Sequence, residues 1–385
     1  MKKKCLLGIV CLCLCRLPAY GAASRETILR IQSYMEEGKF EAAEIAISAA
    51  LKKDANDGGL YNLRGIVHAE RNQLTEAESD FTQAVRLSPG LAGASLNLSR
   101  VAGLLSATDP QALTRARATL EKAVPARPKD PALLMELARI AEKQNDLTGA
   151  LGYLAHARDL DPRSAPVHFF FGMVCIGLNL SVEAKASLQK AVDLDPDNPI
   201  YNYARGSVEL DGRTGWEAIP YFKKYVAAHP DDPRGHFALG AAHFAGQDYE
   251  SSAKEMNAIA GNRETTAGAE YYLGRIAKAE GDWEAASKHY ARSIQADPKY
   301  AESHAGLGLA CMHLGDMARA RSEMDRALEL NPESYISNSA MLVLLQKTKD
   351  PAAGRQAQKL RDLDSKRFEK QELMLRTVKV RKYDE

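Results

Sequence analysis

Apolar side chains return every three or four residues along this chain, in segments of about 14 residues, the spacing that lines one face of an α-helix. Alternation of the kind that marks a strand is nearly absent. Ala, Leu, Glu, Lys and Arg dominate, and all of them favour helix. The pattern predicts an all-α protein. A longer beat runs over the short one. Prolines stand at 89, 128, 162, 196, 230, 298 and 332, and after the first gap every interval is 34 residues or twice 34. Several close near-copies of one phrase: AVRLSP, ARDLDP, AVDLDP, SIQADP and ALELNP. Small residues keep the same phase. Gly65 recurs as Gly172, Gly206, Gly240, Gly274 and Gly308, with Ser99 and Ala138 between, and a second register runs from Ala43 and Ala77 to Ala320.

Each 34-residue unit therefore carries two amphipathic helices joined by a turn. In-phase Gly and Ala mark where two helices approach closely, since a large side chain there would push their axes apart. Turn pairs such as Asn145–Asp146, Gly281–Asp282 and Gly315–Asp316 supply left-handed caps. The closing proline cannot extend the second helix. One such hairpin cannot bury its own face, so neighbours must stack.

This pattern closely resembles the tetratricopeptide repeat. In YNLRGIVHAERNQLTEAESDFTQAVRLSP, the residues Tyr61, Gly65, Ala77, Phe81, Ala84 and Pro89 fall on signature positions of that family. The resemblance implies a right-handed α-solenoid. It places nine repeats over residues 24–334, starting near 24, 58, 92, 131, 165, 199, 233, 267 and 301. Residues 335–385 read as a degenerate tenth repeat and a basic-leaning helix that caps the stack. Departures are local. The third unit has five extra residues around SATDPQ, where Asp109 and Pro110 read as the N-cap and first turn of its second helix. The seventh unit ends AGNRE without its proline, and the first has Ala55 in the proline position.

Residues 1–23 differ from the rest. A charged MKKK start, the eleven-residue apolar run CLLGIVCLCLC and a small-residue exit form a secretory signal peptide, with cleavage after Gly21 or Ala23. The expected location is therefore periplasmic or secreted, and the alternative is an anchor left uncleaved. The apolar run is short of the ~20 residues that span a bilayer, so no stable membrane insertion is expected after cleavage. Its cysteines act as small hydrophobes. Formal net charge is +1, which gives no general field for nucleic acid.

No metalloprotease, phosphate-loop, nucleophile-elbow or dinucleotide motif is present, so neither catalysis nor a cofactor is expected. His236 and His243 lie seven apart on one side of a helix, but His243 and His68 fall in a core register, so no metal is expected. Cys175 and Cys311 share that register four repeats apart and are expected as buried thiols outside any disulfide. Chaperone-binding members of the family hold a carboxylate with basic residues and asparagine. Only Asn97 matches here, with Ala132 and Glu136 in basic positions, so that activity does not carry over.

The aromatic residues attract more attention. In HFFFG, Phe171 takes a family core position just before Gly172, and Phe170 is expected against a neighbouring repeat. Phe169 falls on the fifth position, which in the family faces the concave groove. Tyr203, Phe237 and Tyr271 follow at 34-residue steps. Met173, Ile176, Ile200, Leu210 and Phe244 take nearby groove positions, with basic residues Arg139, Lys143, Arg234, Arg275 and Lys278 around them. A row of rings on a concave wall suits a protein or peptide partner; the competing reading is that the rings only line the stack. The resemblance implies a protein-interaction scaffold in cell-envelope assembly or secretion. The alternative is a non-catalytic subunit of an enzyme or export complex.

Overall fold

The computed structural model describes residues 25–210 and 215–377, with side chains described to residue 365. The signal-peptide reading of residues 1–23 and the last eight residues lie outside these. Twenty α-helices, two short 3-10 turns and no strand make up the described residues. The chain forms two compact units that divide between Leu178 and Asn179.

The first unit holds α1 (Arg25–Glu36), α2 (Phe40–Leu51), α3 (Gly58–Glu70), α4 (Leu74–Leu87), α5 (Ala92–Leu105), α6 (Ala112–Ala123), α7 (Pro131–Lys143), α8 (Leu147–Leu160) and α9 (Ala165–Gly177). Helices pair as antiparallel hairpins, and first helices touch one another: α3 packs on α5, and α5 on α7. The second unit holds α10 (Ser181–Leu194), α11 (Pro199–Leu210), α12 (Ile219–Ala228), α13 (Pro233–Ala245), α14 (Tyr249–Ile259), α15 (Thr266–Glu280), α16 (Trp283–Ala296), α17 (Ala301–His313), α18 (Met317–Leu330), α19 (Tyr335–Lys347) and α20 (Ala353–Thr377). There α11, α13, α15, α17 and α19 contact one another in succession.

Two side-chain rules recur among the hairpins. A glycine in the first helix receives a bulky side chain from the second. A Cβ on Gly65 would stand 2.6 Å from the Phe81 ring, one on Gly206 2.9 Å from Phe222, and one on Gly274 2.7 Å from Tyr290. These distances are closer than any methyl tolerates, so glycine is what lets the two helices meet. The turn between helices then needs a left-handed residue. Gly38, Gly281 and Gly315 supply it, and so do Asn72, Asn145, Gln247 and Lys349 at φ of 54° to 61°. Asparagine tolerates that region better than most side chains. The following aspartate caps the second helix: Asp146, Asp248, Asp282 and Asp316 accept from backbone N–H groups three residues on, at 2.8–3.1 Å.

A third device joins one repeat to the next. The fourth residue of a first helix donates back to the carbonyl of the closing proline. His168 reaches Pro162 at 3.0 Å, Asn202 reaches Pro196 at 2.9 Å, and His236 reaches Pro230 at 2.8 Å. His304 and Asn338 repeat it on Pro298 and Pro332 at 3.1 and 2.9 Å. Each bond satisfies an acceptor that the end of a helix would leave open. Where the seventh repeat lacks its proline, Thr265 and Thr266 donate to the Ile259 and Ala260 carbonyls instead, at 3.0 and 2.9 Å.

The third unit departs from expectation at its insertion. Asp109 does not cap the second helix, because α6 begins only at Ala112, after Gln111. Asp109 instead closes a preceding turn by accepting from Gln111 N–H at 3.0 Å, and it pairs with Arg115 at 2.7 Å.

Candidate protein-binding face

The first helices carry every groove residue expected from the sequence. In the first unit, α9 presents Phe169 and Phe170 half-buried and Phe171 buried. Helical spacing separates them: residues one apart point about 100° away from each other, so three adjacent rings cannot share one surface. The Arg139 guanidinium of α7 lies 5.5 Å over the Phe170 ring, and Arg158 of α8 lies 4.7 Å over Phe171. Both rings are thereby tied to the preceding repeat, each through a cation on its face. Met173 and Ile176 are 40% and 37% exposed. Arg139 and Lys143 are exposed as well, and the Lys143 stem lies along Gly103 of α5.

In the second unit, three expected ladder rings differ in surroundings. Tyr203 is half-buried, with ring centroids 5.5 Å from Phe222 and 4.7 Å from Tyr225 of α12. Burial raises the pKa of its hydroxyl. Phe237 is half-buried, edge-on to Tyr272 at 5.5 Å and seated over Gly268 of the next repeat. Tyr271 is only 7% exposed, between Tyr272, Tyr290 and Tyr300 at 5.8, 6.0 and 5.3 Å. Burial pushes its pKa up to about 12. A ring so enclosed forms floor rather than free surface, which corrects the expectation of a groove anchor at Tyr271. Tyr203 and Phe237 also lean on neighbouring rings, and each leaves part of itself to solvent.

The centre of this aromatic array is Tyr272, which the sequence reading passed over. It meets Phe237, Phe244 and Tyr271. The signal available was the Tyr271–Tyr272 doublet that begins three residues after Gly268. Phe244 packs on Tyr249 at 5.4 Å and carries the Arg275 guanidinium 4.1 Å over its face. Lys278 is exposed at the end of α15. Arg234 is not a free cation, because Asp232 binds it through both oxygens at 3.0 and 2.8 Å. Ile200 of α11 is 50% exposed and Leu210 is half-buried.

Other residues singled out have structural surroundings. Asn97 donates to Asn62 at 3.1 Å, with both buried, and Glu136 is buried with its pKa raised by desolvation. His236 and His243 go to different carboxylates, Glu255 at 2.6 Å and Asp248 at 2.9 Å. Cys175 and Cys311 are both buried and outside any disulfide. No helix among the described residues is long and apolar enough to cross a membrane.

Tetratricopeptide repeat profiles match residues 28–92, 111–165, 182–233, 216–267 and 271–335, and a second profile of the same description matches 165–198. The chain belongs to the tetratricopeptide repeat family, whose members are protein-interaction scaffolds. No curated protein matches it. Among solved structures, yeast Tom70 is 14% identical, with 88% of this chain and 91% of that one covered, at a TM-score of 0.45. Cut9 in the APC/C hetero-tetramer Cut9-Hcn1 is 14% identical over 83% and 75%, at 0.46. Pseudomonas aeruginosa pilF is 17% identical over 53% and 90%, at 0.44. Likeness at these values carries no functional weight.

Proposed function

We propose that this chain is an exported adaptor that holds protein or peptide partners on the faces of its first helices, in cell-envelope assembly or secretion. One observation carries the reading: first helices keep large apolar side chains in water at groove positions. Met173 and Ile176 do so in the first unit and Ile200 in the second. A scattered exposed apolar residue means little. Two on one turn of one helix, in the same unit as exposed Arg139 and Lys143, make a surface that a partner would cover. The open edges of Phe169, Tyr203 and Phe237 extend it within their own units. Tyr271 serves as support. Export rests on the charged start, apolar run and small-residue exit of residues 1–23.

Replacing Met173 and Ile176 together by Glu tests the binding face. Both side chains are exposed, so stability should change by less than ~0.5 kcal/mol for each, while capture of partners from envelope extract of the native host should be lost. Unchanged capture by a folded variant overturns the reading. Mass spectrometry of the native protein should find a chain starting near Ala22 or Ser24. A full-length chain carrying Met1 in the membrane fraction overturns export.

A further inference from the structure

Three cations and an imidazole stand on successive first helices of the second unit: Arg275 and Lys278 on α15, His313 at the end of α17 and Lys347 at the end of α19. They feel one another. Burial and then Arg275 lower the Lys278 pKa, and burial, Lys347 and Lys278 lower that of His313. Several arginines of the chain are paired, as in Arg64–Asp80, Arg115–Glu78 and Arg117–Asp146. Among the described residues none of these four is ion-paired with a carboxylate. Glu302 acts on Tyr271 and Tyr300, two rings that Arg275 also acts on, yet it forms no ion pair with Arg275.

Arg275, His313 and Lys347 are held in place. Arg275 lies over three rings, 4.1 Å from Phe244, 5.0 Å from Tyr272 and 5.6 Å from Tyr271. The His313 imidazole lies flat on Trp283, with centroids 3.6 Å apart and planes within 4°. Lys347 Nζ donates to the Met312 carbonyl at 3.3 Å. Like charges gathered without a counter-charge repel. Holding their side chains in advance removes part of the ordering cost that a ligand would otherwise meet. The arrangement suits an opposite charge supplied from outside.

We propose that Arg275, Lys278, His313 and Lys347 form an anchoring subsite for the carboxylates of an acidic, extended peptide segment. This rests on the reading of the first-helix faces as the binding surface, and it assigns the partner's chemistry. Helix layers lie ~10 Å apart and an extended chain advances ~3.3 Å per residue. Acidic residues about three apart would therefore meet successive helices. A nucleic acid fits less well. It would need a longer phosphate-neutralising track than three cations. Its bases would also find the faces of Phe244 and Trp283 already covered by Arg275 and His313.

Fluorescence anisotropy with a labelled ~9-residue peptide bearing Glu at every third position tests the subsite, beside a counterpart with Gln at those positions. The protein should bind the Glu peptide at low salt and lose affinity as salt rises. The Gln peptide should bind at least ~10-fold more weakly. Lys278→Glu with Lys347→Glu should weaken the Glu peptide by at least ~10-fold; because the Lys347 bond to the Met312 carbonyl goes with it, circular dichroism first establishes that the variant is folded at the assay temperature. Equal binding of the two peptides, equal binding by the double variant, or preference for a single-stranded oligonucleotide would each overturn the proposal. If native partners are still captured while the Glu peptide is not bound, the subsite fails and the binding face stands. If the Met173 and Ile176 substitutions leave capture intact, the broader reading fails instead.

Discussion

Ion pairs between helices use different cations in the two units. From α3 to α8 the interhelix contacts run through arginine. Arg64 grips Asp80 inside the α3–α4 hairpin with two bonds of 2.9 and 2.6 Å, while Arg115 grips Glu78 with bonds of 3.1 and 2.6 Å and Arg117 reaches Asp146 at 2.9 Å, each from one repeat to the next. From α13 to α18 the same work falls to histidine. His236 pairs with Glu255 at 2.6 Å, His289 with Glu270 at 2.7 Å and His304 with Glu323 at 2.7 Å, each nineteen residues apart. The middle pair is the other two with its ends exchanged. Asp80, Glu255 and Glu323 even share a place, twenty-two residues after Gly58, Pro233 and Ala301. A guanidinium keeps its charge at any physiological pH, whereas an imidazole changes charge near neutrality. The arginine pairs are thus fixed in charge, as is Glu270 through Arg292 at 3.0 Å, whereas the His236 pair depends on a proton.

The hydrophobic side of the comparison should give the largest effects. Phe81 fills the space over Gly65 in one hairpin. Tyr290 stands between Gly274 of its own hairpin and Gly306 of the next, and also meets Tyr271. Tyr290→Ala and Phe81→Ala should each cost ~3–5 kcal/mol, with Tyr290 at the upper end because it supports two interfaces. Chemical denaturation of both variants measures this. Equal losses would mean that bridging two repeats adds nothing. Next in size is Asp80→Ala, which leaves Arg64 without its carboxylate and removes the acid 3.0 Å from His68 Nδ1. Asp80 is almost fully buried, so the loss should be ~2–3 kcal/mol and should persist at every pH where the protein is folded. A double-mutant cycle with Arg64→Met that shows no coupling would assign the effect to His68 instead of Arg64.

Much of this was legible before any coordinates. Gly65, Gly206 and Gly274 repeat in phase because each must admit a ring from the facing helix, so their spacing already describes hairpin packing. The closing prolines mark where second helices stop, and helical periodicity alone leads to the all-α class. The His168, Asn202, His236, His304 and Asn338 column was equally visible, but its chemistry was not. A histidine, an asparagine and a proline carbonyl become one device only once the chain turns back on itself. The aromatic residues were the least legible. Repeat phase assigns Tyr203, Phe237 and Tyr271 to one column but says nothing about how much neighbouring rings cover them. That cover depends on Tyr272 and Tyr300, which lie outside the column, and on the room that Gly268 leaves for Phe237. The α6 start was missed because Asp109 and Pro110 imitate a helix entrance while forming an earlier turn.

The finest distinction between the two sets of ion pairs is their response to pH, and His236 shows why. Its Nε2 faces the Pro230 carbonyl at 2.8 Å and its Nδ1 faces Glu255 at 2.6 Å. Both are acceptors, so only the doubly protonated ring donates to each. Burial pulls the pKa down, but the bond to Glu255, then that to Pro230, outweigh it and the value stands raised above 6.5. The folded state therefore binds the proton more tightly than the unfolded chain. The resulting stability is fully present below pH ~6.5 and is lost as pH rises through the higher folded value. Asparagine offers a way to remove the proton without removing the joint, because Asn202 and Asn338 already make the proline-carbonyl bond from this position. His236→Asn should keep the bond to Pro230 and lose the titrating ion pair. Its cost should be ~1 kcal/mol or less at pH 6 and should shrink toward pH 8, flattening the pH dependence of the melting temperature. A cost that stays constant from pH 6 to 8 would mean that Glu255 contributes through packing and that the imidazolium contributes nothing.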